Sequence, residues 1–217
     1  MDEAGGRLPA AAGAARPGSG QARARAWPPA LTFTPELLLA ARGPGAGIAA
    51  AIFDVDGVLT DGRIYIGEHG ETFKAFSTLD GHGLKLLAQG GIAPVVVTGR
   101  DSLAVRRRVA DLGIAHAAYG ATDKLAASEA LIGTLGLDWS RVAVIGDDWP
   151  DLPLMQRAAF ACAPPGAHIE ARAAAHHVTS ARAGFGAARE FCDLLLVAAG
   201  RYAALLQGPL HSLDGTR

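Results

Sequence analysis

Two carboxylates, Asp54 and Asp56, stand one residue apart where a short apolar run gives way to a turn. The apolar run 49–53 precedes this acidic pair and Gly57 follows it, which predicts a buried strand that presents Asp54 at its carboxyl end. Ligands bind at that edge of an open α/β sheet. Because burial and like charge both disfavour ionised carboxylates, such a pair needs a compensating cation. The acidic pair therefore predicts a metal ion at the tip of the strand.

Polar residues also follow other predicted strands and open one predicted helix. They are Thr98, followed by Gly99, after the run 92–97, Lys124 at a helix start, and Asp147, Asp148 and Asp151 after the run 142–145. Taken alone, each group is an ordinary turn or helix cap. Together they belong to separate βα units, whose functional ends meet at one edge of a parallel sheet. We therefore predict that they form one site.

The elements that must position these residues alternate between strand and helix. This order is typical of a mostly parallel sheet with helices on both faces, so we predict a three-layer, Rossmann-like α/β fold. Alternating apolar residues around a glycine turn predict a β-hairpin at 62–76, projecting over the site directly after the first strand. We also expect one helix to begin near Leu84, another to follow a Ser102 cap, and a last helix over 185–199.

Composition sets further bounds. The chain has 217 residues, 50% of them hydrophobic, and a formal net charge of −1. These values favour one folded domain and give no electrostatic reason to expect nucleic acid or a membrane as partner. We predict a disordered Ala/Gly/Pro/Arg tail at 1–30, a folded domain at 31–203 and a flexible tail at 204–217. Cys162 and Cys192 lack metal-ligand spacing, so we interpret them as buried thiols of a cytoplasmic protein.

The order of the motifs resembles that of the haloacid dehalogenase superfamily of phosphotransferases. The motifs are Asp-x-Asp-Gly-Val-Leu-Thr from Asp54, Thr-Gly-Arg from Thr98, Asp-Lys ending at Lys124, and Gly-Asp-Asp-x-x-Asp ending at Asp151. The resemblance covers about residues 48–200 and implies a Mg²⁺-dependent phosphomonoester hydrolase that forms an aspartyl phosphate. The spacing between the motifs leaves no room for the cap domain that many members carry.

The resemblance implies a catalytic role for each acidic residue, and side-chain chemistry agrees. Asp54 would be the nucleophile. Asp56 would protonate the leaving oxygen and then activate water against the aspartyl phosphate. Asp54, Asp147 and the backbone carbonyl of Asp56 would hold Mg²⁺, because this ion prefers hard oxygen ligands.

The remaining motif residues are expected to bind phosphate or to orient other groups. Thr98 and Gly99 would hold a phosphoryl oxygen, and Lys124 would supply a cation to the same group. Asp148 and Asp151 are interpreted as groups that orient Lys124 or cap the next helix.

Within the superfamily, the resemblance is to capless sugar-acid phosphatases, which form tetramers in which neighbouring subunits close the site. Arg108 falls where these proteins use an arginine from a neighbouring subunit, so a homotetramer is expected. Three segments favour the members that act on 3-deoxy-D-manno-octulosonate 8-phosphate, an eight-carbon intermediate of lipopolysaccharide sugar synthesis. The segments are Asp-Gly-Arg-Ile-Tyr, Gly-Glu-x-x-Lys-x-Phe and Asp-Gly-x-Gly-Leu-Lys-Leu-Leu. Arg100 favours the same group, because relatives that act on nine-carbon acids tend to carry glutamate there, and a guanidinium suits a substrate carboxylate.

Several alternatives stay open. The chain could be a phosphatase of a nine-carbon, sialic-acid-type sugar phosphate, or a catalytically silent member that serves only in assembly or regulation. Arg106, Arg107 and Arg108 are consecutive, so Arg108 could equally belong to a solvated helix face. The segment 162–168 lacks the acid that is usual in relatives, which leaves its contact with substrate undecided.

Overall fold

The computed structural model describes residues 31–211, with side chains described as far as residue 208. Its strands are β1 (Ala50–Phe53), β2 (Tyr65–Gly67), β3 (Gly70–Phe73), β4 (Ala93–Val97), β5 (His116–Ala118), β6 (Val142–Ile145), β7 (Phe160–Ala163) and β8 (His177–Val178). β2 and β3 pair antiparallel, and the other six strands form one parallel sheet in the order β5-β4-β1-β6-β7-β8. β1, which ends at the acidic pair, is therefore an inner strand flanked by β4 and β6.

The helices form a layer on each face of this sheet. They are α1 (Pro35–Arg42), α2 (Thr78–Gln89), α3 (Leu103–Leu112), α4 (Lys124–Thr134), α5 (Leu152–Arg157), α6 (Ile169–Ala174), α7 (Ala187–Ala198) and α8 (Tyr202–His211). Alternate residues of β1 serve the two cores. Ala51 and Phe53 face a core with α2, α3 and α7, whereas Ala50 and Ile52 face a core with α4, α5 and α6. This arrangement confirms the predicted three-layer α/β fold.

The hairpin of β2 and β3 follows the first strand, where the alternating sequence predicted it. Tyr65 and Phe73 stack across the hairpin with their ring centroids 4.4 Å apart. Ile66 and Phe73 nevertheless remain 69% and 53% exposed. In a single chain, the hairpin therefore presents apolar surface to solvent.

Helix α2 begins at Thr78, earlier than the predicted start near Leu84. The hydroxyl of Ser77 accepts hydrogen bonds from two N–H groups of the first turn, at 3.2 and 3.4 Å, and so caps the helix. Glycine lowers helix propensity, so Gly81 concealed this turn from the sequence pattern. A Cβ at Gly81 would lie 2.1 Å from Nη2 of Arg108, so glycine permits close contact between α2 and α3.

Part of the segment 204–217 lies in a helix, and the flexibility predicted for this segment stays a prediction. Helix α8 continues to His211, and Tyr202 and Leu205 pack against the core. Burial of an apolar face stabilises a short helix that its own sequence does not specify, because most helical stability in proteins comes from tertiary packing.

Residues 1–30 and 212–217 lie outside the described residues, so the disordered tail at 1–30 stays a prediction. No single helix within 31–211 combines the length and apolarity needed to span a membrane. One helix pair, Ala187–Ala198 with Tyr202–Gly208, meets the length and composition criteria but is bent by 108°.

Candidate active site

Asp54 leaves the sheet at the end of β1, and its side chain is only 7% exposed. Its N–H donates to the carbonyl of Ile145 at 3.2 Å, which ties the loop after β1 to the end of β6. The following turn contains Gly57 with a φ of 93°, in the region that favours glycine. A Cβ at Gly57 would lie 2.0 Å from Oδ2 of Asp147. Glycine therefore allows the two acidic loops to approach each other.

Three carboxylates and one ammonium meet at this edge of the sheet. Oxygen atoms of Asp54, Asp147 and Asp151 lie within 4.8 Å of one another, a spacing that could hold a metal ion. Nζ of Lys124 lies 2.8 Å from Oδ1 of Asp54 and 2.7 Å from Oδ1 of Asp151. The structure thus brings together residues from the end of β1, the end of β6 and the start of α4.

The electrostatics of this cluster favour an added cation. Burial, followed by the charge of Asp151, raises the pKa of Asp54 well above its ordinary value, although Lys124 opposes the shift. Burial and the charge of Asp151 likewise raise the pKa of Asp147 to about 6. Burial alone would lower the pKa of Lys124, but the charges of Asp54 and Asp151 outweigh it, so this pKa rises. Three carboxylates share one ammonium, and a divalent cation would relieve their repulsion.

Asp151 links Lys124 to the loop that carries Asp147. Its Oδ1 accepts a hydrogen bond from Lys124, while its Oδ2 accepts the backbone N–H groups of Asp147 at 3.1 Å and Asp148 at 3.3 Å. Gly146 makes room for this arrangement, since a Cβ there would lie 2.4 Å from Cβ of Asp151. Asp148 itself is exposed and contributes its backbone.

Asp56 faces a second cation, Lys74, which the sequence analysis did not single out. Nζ of Lys74 contacts Oδ1 of Asp56 and lies 3.3 Å from Oε2 of Glu71, and the Lys74 side chain is 1% exposed. Oδ2 of Asp56 is buried without a hydrogen-bond partner among the described residues, and Nε of Arg100 lies 3.9 Å from it. A signal was available, because Lys74 is the lysine of the segment Gly-Glu-x-x-Lys-x-Phe.

The loop after β4 connects the site to the hairpin. Thr98 is buried, and its Oγ1 accepts the N–H of Arg100 at 3.3 Å, across the exposed Gly99. Nη2 of Arg100 lies 3.3 Å from Oε2 of Glu71. Ser102 occupies the N-cap position of α3, as predicted, but its hydroxyl donates to Oε1 of Glu71 at 2.6 Å and makes no capping hydrogen bond. A hydrogen bond to a carboxylate is stronger than one to a neutral N–H, which explains the missing capping bond.

The described contacts of Arg108 are with Ser77 and Phe76, and none of them is with the carboxylate cluster. Its Nη2 donates to the carbonyl of Ser77 at 3.1 Å, and its guanidinium lies 5.8 Å from the ring centroid of Phe76. The adjacent Arg107 is 82% exposed and pairs with Asp111. A role for Arg108 from a neighbouring subunit therefore stays a prediction.

The loop after β7 supports the site through its backbone. The N–H of His168 donates to the carbonyl of Asp147 at 2.8 Å. The His168 ring in turn accepts the indole N–H of Trp149 at its Nδ1, at 3.0 Å. The segment 162–168 therefore braces the loop that carries Asp147, and its contact with substrate stays a prediction.

Comparison with known proteins identifies a family of hydrolases. A family model described as haloacid dehalogenase-like hydrolase matches residues 117–190. The 3-deoxy-D-manno-octulosonate 8-phosphate phosphatase KdsC of Yersinia pestis is 42% identical over 153 residues, which are 70% of this chain and 82% of that protein. This chain belongs to the haloacid dehalogenase-like hydrolases, in the KdsC group.

Solved structures of KdsC-like proteins share its fold. A probable YrbI family phosphatase from Pseudomonas syringae superposes with a TM-score of 0.75 and 41% identity, covering 85% of this chain and 99% of that one. The 3-deoxy-D-manno-octulosonate 8-phosphate phosphatase from Moraxella catarrhalis, in complex with magnesium ion, phosphate ion and a KDO molecule, gives a TM-score of 0.74 and 40% identity. That match covers 79% of this chain and 96% of the other.

Proposed function

We propose that this protein is a Mg²⁺-dependent phosphatase that releases phosphate from 3-deoxy-D-manno-octulosonate 8-phosphate. The observation that carries the proposal is the cluster of Asp54, Asp147 and Asp151 around Lys124. The cluster occurs in a chain that is 42% identical to a named phosphatase of this substrate over 82% of that protein's length. The bound magnesium and phosphate of the Moraxella catarrhalis relative support the same chemistry.

The acidic groups fit a magnesium ion. Oxygen atoms of Asp54 and Asp147 lie within 4.8 Å of each other, and burial together with the charge of Asp151 raises the pKa of both carboxyl groups. We propose Asp54, Asp147 and the backbone carbonyl of Asp56 as the ligands, because Mg²⁺ selects hard oxygen donors. When bound, the ion would neutralise charge on the phosphoryl oxygens.

The proposed reaction uses the chain's own carboxylates in two steps. A carboxylate oxygen of Asp54 forms a bond to phosphorus while the bond between phosphorus and the sugar oxygen breaks. Asp56 gives a proton to that leaving oxygen, then takes a proton from the water that hydrolyses the aspartyl phosphate. Lys124, Thr98 and the backbone at Gly99 hold the phosphoryl oxygens in line.

We also propose how the sugar-acid end is recognised and how the chain assembles. Arg100 and Arg108 are candidates for contact with the sugar acid, with Arg108 acting from a neighbouring subunit of a homotetramer. The exposed Ile66 and Phe73 of the hairpin support assembly, because an isolated hairpin with apolar surface is marginal in water.

A cytoplasmic location is supported by the protein's two cysteines, which are both free.

The function is tested by a phosphate-release screen across sugar-acid phosphates and simple sugar phosphates, with Mg²⁺ and with EDTA. We expect turnover of the eight-carbon sugar-acid phosphate that EDTA abolishes and Mg²⁺ restores. Asp54→Asn should lose at least about a thousandfold in kcat because it lacks the nucleophile. Glu36→Gln, at an exposed position of α1 away from the hairpin, is the control. Unchanged activity in EDTA, or in Asp54→Asn, would contradict the proposal.

A further inference from the structure

A cavity of about 380 Å³ is lined in part by Asp147, one member of the carboxylate cluster. Its lining also includes Asp61, which pairs with Arg63, and Arg182 and Phe185, which the proposed mechanism does not use. Cavities of about this size hold small organic ligands. The proposed substrate carries a phosphate and a carboxylate. Arg100 and Arg108 are already proposed for the sugar-acid end, and a further cation in this cavity would add to them once the phosphate reaches the nucleophile.

The backbone that carries Arg182 is held against the nucleophile loop. Gly184 donates its N–H to the carbonyl of Val58 at 3.1 Å. A Cβ at Gly184 would lie 2.7 Å from the backbone nitrogen of Asp61, and φ at Gly184 is 69°, so glycine suits this contact on both counts. The close approach fixes the turn 182–187 beside the loop that follows the nucleophile.

The same turn is also restrained by its own hydrogen bonds. The carbonyl of Arg182 accepts the N–H groups of Phe185 at 2.9 Å and Ala187 at 3.3 Å. The carboxylate of Glu190 accepts the two N–H groups just before Arg182, at 3.0 and 2.9 Å. A binding residue on a restrained backbone loses less conformational entropy when its ligand arrives.

The guanidinium of Arg182 has no acidic partner within residues 31–208. Its described side-chain contact is with the ring of Phe185, whose centroid is 5.8 Å away. By contrast, Arg100 lies 3.3 Å from an oxygen of Glu71, and Arg63 lies 3.7 Å from an acidic oxygen. Arg182 is therefore an exposed cation in the lining of the cavity, and its charge is available to a ligand.

We propose that Arg182 binds the carboxylate of the substrate and thereby helps this site distinguish a sugar-acid phosphate from a simple phosphate ester. The inference rests on the proposed function and adds a substrate-binding residue to it. Guanidinium and carboxylate groups pair through two parallel hydrogen bonds. The phosphate end already has Lys124 and Thr98, so Arg182 serves the other end of the substrate.

The test compares kcat and KM of the wild type, Arg182→Gln and Arg182→Lys. The substrates are 3-deoxy-D-manno-octulosonate 8-phosphate and p-nitrophenyl phosphate, which lacks a carboxylate. Arg157→Gln is the control, because it removes the same charge from an exposed arginine that pairs with Glu129 outside the cavity lining. We expect Arg182→Gln to raise KM for the sugar acid about tenfold, as for one lost charge-assisted contact, with kcat nearly unchanged.

Further readouts separate binding from folding. Arg182→Lys should keep part of the affinity, and calorimetric titration with the free sugar acid should show weaker binding to Arg182→Gln without any turnover. Values for p-nitrophenyl phosphate should match the wild type in every variant.

Two outcomes would overturn the role of Arg182 and leave the proposed function standing. One is a KM for the sugar-acid phosphate in Arg182→Gln equal to that of the wild type. The other is an equal rise in KM for both esters, which would assign Arg182 to phosphate. A wild-type enzyme that hydrolyses p-nitrophenyl phosphate but not the sugar-acid phosphate would overturn the proposed function, and this inference with it.

Discussion

Asp147 links the charge of the site to the stability of the fold. Burial and the charge of Asp151 raise its pKa from an ordinary value of 3.8 to about 6. A carboxyl group with a raised folded-state pKa holds its proton more tightly in the folded state than in the unfolded state. Its contribution to stability is therefore present below about pH 4 and is lost as the pH rises through about 6. At neutral pH, the metal-free protein carries a destabilising charge that Mg²⁺ would compensate.

The first prediction concerns the competition between protons and Mg²⁺ at Asp147. We expect Mg²⁺ to raise the unfolding temperature more at about pH 7.5 than at about pH 5, because the ion binds the ionised carboxylate. Asp147→Asn should remove most of the Mg²⁺-dependent increase at both pH values. Differential scanning fluorimetry in Mg²⁺ and in EDTA measures the effect. Equal increases for the wild type at both pH values would count against Asp147 as a ligand.

The hairpin makes more contacts with residues of the site than its sequence pattern predicted. Glu71 contacts Lys74, Arg100 and Ser102, and Lys74 contacts Asp56. Alternating apolar residues were enough to predict a hairpin. They do not show which charged side chains become buried, because that depends on how the hairpin lies over a loop distant in sequence.

The second prediction tests the buried lysine of the hairpin. Lys74→Met leaves the carboxylate of Asp56 without its nearest cation, so we expect kcat to fall by at least about tenfold and stability to fall by about 1–3 kcal/mol. Lys85→Met, an exposed lysine on α2, is the matched control. Phosphate release and urea unfolding measure the two effects. If Lys74→Met behaved like Lys85→Met in both assays, Lys74 would have no role at Asp56.

For the whole molecule, the alternation of strands and helices was sufficient to predict the layers, because this order requires a parallel sheet covered on both faces. The polar motifs after β1, β4 and β6 then marked the edge of the sheet that carries the site. The start of α2 and the presence of α8 were not predictable in the same way. Gly81, which packs close to Arg108, interrupts the helical pattern at the start of α2, and Tyr202 and Leu205 of α8 pack against the core. Such contacts between distant segments are absent from any local pattern. Assembly depends on contacts between separate chains, so it requires its own experiment.

The third prediction concerns a site shared between subunits. Arg108→Glu and Asp54→Asn should each lose most activity, whereas mixed assemblies of the two variants should recover part of it. Recovery is expected because some sites would then combine an intact Asp54 with an intact Arg108 from a neighbour. Light scattering alongside turnover measures assembly and activity together. A fully active monomer would contradict the shared site, because Arg108 would then make only its contacts to Ser77 and Phe76 within its own subunit.

Hydrolysis of the eight-carbon sugar-acid phosphate is tested by a ratio of two kcat/KM values, measured on the full chain in Mg²⁺. The ratio is kcat/KM for 3-deoxy-D-manno-octulosonate 8-phosphate over kcat/KM for a nine-carbon, sialic-acid-type sugar phosphate. We predict a ratio above one. A preference of tenfold or more for the nine-carbon compound, equal to about 1.4 kcal/mol of transition-state stabilisation, would contradict it.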